Sequence, residues 1–211
     1  MPAPRRAPAP DERRQDADRS RRLLLSAAFD EFAAKGYAGA RVHEIAARAG
    51  VNKQLINYYF GGKAGLYKEL QQDWLDREAT FNTPEQPLAE LAVRYLHEAL
   101  SDPRGIRLMV WRGLTTEEFP PDESPIDEDL AYVRERQHDE ELDPDLDPAA
   151  ILLMMMGAIS APIVMPDVTR RLFGSDPTSP EFEERYGNQI RLILNKLSGT
   201  PHRDHPEDEK P

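Results

Sequence analysis

The chain has 211 residues, with 27 Lys plus Arg against 38 Asp plus Glu and a formal charge of −11, enough for one small and one larger helical domain. It contains no Cys, which excludes a disulfide frame, a thiolate nucleophile and a Cys-ligated metal site. The acidic total argues against a nucleic-acid partner until it is divided: residues 1–72 hold 13 basic against 8 acidic residues and the remainder 14 against 30, a basic head on an acidic body.

Residues 1–18 are rich in Pro, Arg and Asp, lack an apolar run, and read as a disordered arm. The first helix is expected over about Arg19 to Lys35. Leu24, Ala28 and Phe32 repeat every four residues, with Leu25 and Phe29 beside them, and Gly36 ends the helix. Arg19, Arg21 and Arg22 lie at its start, the wrong end for the helix dipole, which suits a phosphate partner better.

From Arg41 to Phe60 the chain reads as two short helices joined by a tight turn. Val42, Ile45, Ala46 and Ala49 give the first an apolar face. Gly50 can take the positive φ of a helix end, Val51 anchors the turn, and Asn52 is a good N-cap for the second helix. Ile56 and Phe60 pack inward, leaving Lys53, Gln54, Asn57 and Tyr58 outward. Cations and amides on an exposed helix suit phosphate oxygens and base edges. The Asn57 amide in particular offers the donor and acceptor that match adenine N6 and N7. After Gly61-Gly62, Lys63 opens a fourth helix with Leu66, Leu70 and Trp74 in register, expected to continue toward Phe81 as a rod.

Three pieces, AAFDEFAAKGY (27–37), EIAARAGV (44–51) and NYYFGGKAGLY (57–67), resemble in order and spacing the DNA-binding domain of the TetR family of bacterial transcriptional regulators. The likeness covers about Arg21 to Leu70 and departs from the family at four positions. Thr or Ser is usual where Ala40 and Arg41 stand, Tyr where Asn57 stands, and a small residue at Gln54. Arg41 is expected to supply the phosphate contact that the missing hydroxyl would make. The resemblance makes Lys63 a phosphate-contacting residue, and with the outward face of the reading helix the DNA-binding set is Arg41, Lys53, Gln54, Asn57, Tyr58, Tyr59 and Lys63.

The body repeats a cap-Pro punctuation at Asp102-Pro103, Ser124-Pro125, Asp147-Pro148 and Ser179-Pro180, each before a helical apolar pattern. With a helix from Pro87 carrying Leu88, Leu91, Ala92, Tyr95, Leu96 and Ala99, this predicts five body helices. The helix after Pro103 carries Ile106, Val110 and Leu114, with Trp111. The charged helix after Pro125 carries Ile126, Leu130 and Val133. Ala149 to Met165 is apolar almost all round. It is short for a membrane span, contains Ser160 and Pro162, and follows Asp143, Asp145 and Asp147, so burial on both sides is expected and a membrane is not. The last helix, Pro180 to Leu197, has Phe182, Tyr186, Ile190, Ile193, Leu194 and Leu197 on one broad face. The family resemblance implies that these last two helices form a homodimer interface. The tail from Thr200 is expected to be disordered.

Glu135-x-x-His138 has the spacing of a di-iron ligand pair but lacks a second such pair, so no metal is assigned to it. No Walker-type loop or G-x-S-x-G elbow is present, and an enzyme is not expected. His97, Trp111, Arg112, Tyr132 and Met154 to Met156, centred on Met155, are the candidate ligand-binding residues. Met and aromatics suit an adaptable apolar pocket, while ordinary core packing explains any one of them alone.

The expected protein is all-α: an arm (1–18), a three-helix helix-turn-helix DNA-binding domain (19–72), a C-terminal helical bundle for ligand binding and dimerisation (73–199) and a tail (200–211). It reads as a homodimeric, ligand-responsive repressor of cytoplasmic type on a palindromic double-stranded DNA operator, with a small-molecule effector and no cofactor. A regulator without an inducer, or an activator on the same fold, stays open.

Overall fold

The computed structural model describes residues 10–115, 119–120 and 126–198. Among them it is helical throughout, with no strand. The helices are α1 (Pro10–Gly39), α2 (Val42–Ala49), α3 (Gln54–Phe60), α4 (Lys63–Glu78), α5 (Leu88–Ser101), α6 (Arg104–Leu114), α7 (Ile126–His138), α8 (Pro148–Val164), α9 (Pro166–Phe173) and α10 (Pro180–Lys196). The all-α class is as read from the sequence. The first nine residues of the expected arm, the Ser124-Pro125 cap, Gly199 and the tail from Thr200 lie outside the described residues.

Two compact units are present. The first takes the described residues as far as Thr80 together with α6 and its following segment; the second takes Phe81–Pro103 and the described residues from α7 onward. The units therefore divide differently from a cut between residues 72 and 73, because α6 packs on α1.

In the first unit, Leu24, Ala28 and Phe32 are fully buried on α1 and join Ile45, Ile56 and Leu66 in one core. Each large apolar side chain among them contributes about 1.5–3 kcal/mol when fully buried. The start of α1 is a correction: residues 10–18 are helical, not a disordered arm. Residues 14–18 alternate Arg, Gln and Ala with Asp, a mix whose helix propensity suffices once the packed turns behind it have nucleated the helix. Gly36 leaves helical geometry as expected, at φ 69°, ψ 173°, but a further turn carries α1 to Gly39. α4 stops at Glu78, capped by Ala79, and does not reach Phe81 as a rod.

The second unit closes around α5, α7, α8 and α10, with Leu88, Leu96, Val133, Leu142, Ile151, Ile190 and Leu194 in its core. The side chain of Asp147 accepts from Ala149 N and Ala150 N, and that of Ser179 from Phe182 N, so both expected caps are made. The apolar run after Pro148 ends a residue early. Pro166 opens a separate helix, α9, bent 91° from α8. No single helix among the described residues is long and apolar enough to cross a membrane.

α10 is also divided more sharply than one broad face implies. Phe182, Ile190 and Leu194 point into the unit's own core, whereas Leu192 and Ile193 are exposed. Exposed with them are Leu153, Met154 and Met156 on α8, and Val168 and Leu172 on α9.

Candidate nucleic-acid interface

The turn between α2 and α3 is built from backbone chemistry that the sequence anticipates. Gly50 sits at φ 66°, ψ 28°, and the N–H of Val51 reaches back to Ala46 O at 3.1 Å, closing α2 with the pairing that a left-handed residue permits. The Asn52 side chain then accepts from Gln54 N at 2.9 Å, satisfying one of the donors left open at the start of α3. Ile56 (1% exposed) and Phe60 (9%) lock the helix onto the core.

Beyond α3, Gly61 adopts φ 69° and Gly62 φ 115°. Gly65, inside the 57–67 piece but given no role from the sequence, is required by the geometry: a Cβ there would lie 1.6 Å from Phe60 O. The close approach of α4 to the end of α3 thus depends on a residue without a side chain. The one sequence signal for it is a Gly inside an otherwise good helix pattern.

This scaffold turns Lys53, Gln54, Asn57 and Tyr58 to solvent, Tyr58 being 79% exposed. Among the described residues the side chains of Gln54 and Asn57 make no hydrogen bond. Tyr59 is half-buried, leaning on the core with Tyr58 packed edge-on at 5.0 Å and Phe60 at 6.2 Å. Tyr59 therefore braces the face more than it presents itself. Arg41 is exposed and precedes α2 in an extended conformation (φ −118°, ψ 127°) with no side-chain cap, the consequence expected where no hydroxyl stands.

Two further cations are held by the protein itself. Lys63 Nζ donates to Ala38 O at 3.2 Å and lies 4.5 Å from the centre of the Tyr37 ring. Arg21 pairs with Glu69 and stacks over Phe60, so it is less available than the exposed Arg19 and Arg22 beside it.

Behind the exposed face, α1 and α2 are fastened by charge. Glu31 is 1% exposed, and its carboxylate pairs with Lys35 at 2.6 Å and Arg48 at 3.6 Å. Lys35 also reaches Glu44 on α2 at 2.5 Å. Donating to the Glu31 and then the Glu44 carboxylate raises the Lys35 pKa, and accepting from Lys35 lowers that of Glu44. A buried carboxylate with two cationic partners is tolerated where an unpaired one is not.

The five candidate ligand residues fall in different units. Trp111 and Arg112 belong to the first. Trp111 borders a cleft of about 430 Å³ with Lys35, Tyr37 and Phe119, and Arg112 donates to Tyr67 OH at 3.4 Å. His97, Tyr132 and Met155 belong to the second. His97 Nδ1 lies 2.7 Å from Glu183 Oε1, Tyr132 receives a hydrogen bond from the buried Arg136, and Met155 is half-buried against the core. Burial raises the Tyr132 pKa against the opposing pull of Arg136. Among the described residues no group of three or more His, Cys, Asp or Glu is placed to hold a metal ion, and His138 has no such companions.

A family model described as "Bacterial regulatory proteins, tetR family" matches residues 24–70, and one described as "Tetracyclin repressor-like, C-terminal domain" matches residues 87–185. The HTH-type transcriptional repressor SCO4008 of Streptomyces coelicolor is 28% identical over 76% of this chain and 86% of its own. The HTH-type transcriptional regulator RutR of Escherichia coli O157:H7 is 31% identical over 64% of this chain and 69% of its own. In fold, the crystal structure of SCO4942 from Streptomyces coelicolor aligns with a TM-score of 0.65, at 24% identity, over 82% of this chain and 97% of that one.

Proposed function

The chain belongs to the TetR family of transcriptional regulators, and on that premise we propose that it is a homodimeric, ligand-responsive repressor acting on a near-palindromic operator. The observation that carries the reading is the outward face of α3: cation, two amides and a phenol side by side, on a helix immobilised by Ile56 and Phe60. Such a face supplies both phosphate and base-edge partners in a major groove. Lys53, Gln54, Asn57 and Tyr58 carry the reading; Arg41 and Lys63 bind flanking phosphates, and Tyr59 supports the helix.

Dimerisation through α8, α9 and α10 is supported by Leu153, Met154, Leu172 and Ile193, which stay exposed with the unit's own core already closed. An apolar excess of this extent is normally covered by a partner, and a second copy gives the two-fold symmetry that a palindromic site needs. The effector of this reading is a small, largely apolar molecule held in the second unit, where Tyr132 and Met155 pack against the core. It acts only through its difference in affinity between the operator-competent state and the other state. Repression is the sense favoured by the relatives named as repressors. A cytoplasmic location follows from the DNA partner.

Footprinting the full chain on the DNA flanking its own gene tests this. Two protected half-sites roughly 34–36 Å apart or slightly more, related by a two-fold axis, are the expected result. A single asymmetric footprint from a monomer would overturn the dimeric repressor reading.

A further inference from the structure

The outward side chains of α3 can be sorted by what each is able to recognise. Gln54 and Asn57 both end in primary amides, each with a donor beside an acceptor. They are exposed and unbonded among the described residues, since Asn52 caps the backbone of Gln54 and leaves its side chain unused. Three residues on a helix advance about 4.5 Å along its axis, close to the roughly 3.4 Å between stacked base pairs. Two amides so placed have the spacing to meet neighbouring base pairs. In the major groove the bidentate partner of an Asn or Gln amide is adenine, through N6 and N7.

The third group points the same way. Tyr58 follows Asn57, 79% exposed, with its ring held edge-on by Tyr59 at 5.0 Å. The face of that phenol ring, beside the Asn57 amide, suits the thymine C5-methyl, the apolar feature that an A·T pair shows in that groove. α3 contains no Asp or Glu to accept from cytosine N4 and no Arg to fork onto guanine. Lys53, exposed at its N-terminal edge, is open to a phosphate or to a guanine edge flanking the A·T pairs.

Resting on the operator-reading role proposed above, we infer that each half-site is built on adjacent A·T pairs, with Gln54 and Asn57 each taking an adenine and Tyr58 a thymine methyl. The rival account makes these side chains solvated, with specificity lying elsewhere.

The test uses the full chain and base analogues that leave Watson–Crick pairing intact. Selection from a random duplex library first yields a preferred sequence. Adenines of that duplex are then replaced singly by 7-deazaadenine, which lacks N7, and thymines by uracil, which lacks the methyl group. The expected result is about a tenfold loss for the parent protein at two neighbouring adenines of each half-site. Asn57→Ala is indifferent to one of these replacements, Gln54→Ala to the other, and Tyr58→Ala to a uracil replacement that weakens the parent. A preferred half-site without neighbouring A·T pairs would overturn the inference, as would variants that stay as sensitive to the analogues as the parent. If no sequence is preferred at all, the operator-binding reading itself fails and takes this inference with it.

Discussion

The indole Nε1 of Trp111 donates to the backbone carbonyl of Ala33 at 3.2 Å, three residues before α1 leaves helical geometry at Gly36. The indole also lies against Gly36 itself, 3.3 Å from where a Cβ would stand. With Arg104 bonded to Asp30 at 2.8 Å, this fixes α6 along the last turns of α1. It is why α6 belongs to the same compact unit as α2 and α3.

Gly36→Ala is therefore expected to destabilise the first unit. A φ of 69° with ψ of 173° is a conformation left almost entirely to Gly, and forcing another residue into it costs about 1–3 kcal/mol. Urea denaturation followed by Trp fluorescence measures this directly. Trp111→Phe keeps an aromatic ring and leaves the Ala33 carbonyl without its donor, for a smaller loss of about 1 kcal/mol. Equal stability of Gly36→Ala and the parent would show that the kink relaxes freely.

Gly65→Ala is expected to be worse. The added carbon would meet Phe60 O at 1.6 Å, which is backbone, so no side-chain rotation relieves it. The end of α3 must shift, and the exposed face shifts with it. Thermal melts should show a lowered transition, and operator affinity of the folded protein should fall more than for Gly113→Ala, where nothing lies within 4 Å of the added carbon.

What can be read in advance, and what cannot, divides along a physical line. Leu24, Ala28 and Phe32, Gly50, the Asn52 cap, and the separation of Ile56 and Phe60 from Gln54 and Asn57 are all local. Each follows from helical periodicity or from one backbone conformation, so a single stretch of chain contains the information. The pairing of Arg104 with Asp30, and of Trp111 with Ala33, joins residues more than seventy positions apart. Periodicity within α6 favours Ile106, Val110 and Leu114 as its inner stripe, yet Leu114 is 76% exposed and Trp111 packs against α1. Likewise Ile190 and Ile193 share one apolar run, and only the packing of α5 against α10 decides which faces inward. Pro166 is a local signal all the same, a helix start in plain view inside an apolar stretch.

That distinction sets the test of dimerisation. Ile190 is 6% exposed within its own unit, so Ile190→Asp would unfold the protein and say nothing about an interface. Ile193, at 55%, is the informative position. Ile193→Asp should leave helicity intact by circular dichroism while light scattering reports monomer, because an unpaired charge buried on association costs several kcal/mol. A folded Ile193→Asp variant that remains dimeric would move the interface off α10.

Asp176 provides a pH-dependent contact. Its carboxylate accepts from the Thr178 hydroxyl at 2.6 Å and backbone N–H at 2.9 Å, and from Arg170 Nε at 2.9 Å. Those bonds, Thr178 first, lower its pKa to about 2 from 3.8. The folded state thus binds the proton less readily than the unfolded one. The stabilisation is complete above 3.8 and is lost as pH falls toward 2. Asp176→Asn should be less stable than the parent at neutral pH and converge on it near pH 2. Denaturation midpoints that stay equally separated across that range would remove Asp176 from the acid response.

Lys63 offers the sharpest contrast with the amides of α3. Its ammonium is held between the Ala38 carbonyl and the Tyr37 ring, positioned as a fixed point charge. An ammonium set on a phosphate carries no sequence information. Lys63→Ala should weaken binding to every duplex by a similar factor and reduce the salt dependence of binding by about one unit for each phosphate no longer neutralised, twice over for a dimer. Asn57→Ala should instead cost about 1–3 kcal/mol on the preferred duplex, relax selectivity at one position of each half-site and leave the salt slope unchanged. Removing the Lys63 ammonium also deprives the end of α1 of a carbonyl partner, so the variant's melting temperature must be recorded beside its affinity. Binding titrations of both variants at several salt concentrations, against single-base substitutions, separate the roles. A Lys63→Ala protein with an unchanged salt slope and a lowered melting temperature would make that lysine a strut of the head and remove it from the DNA interface.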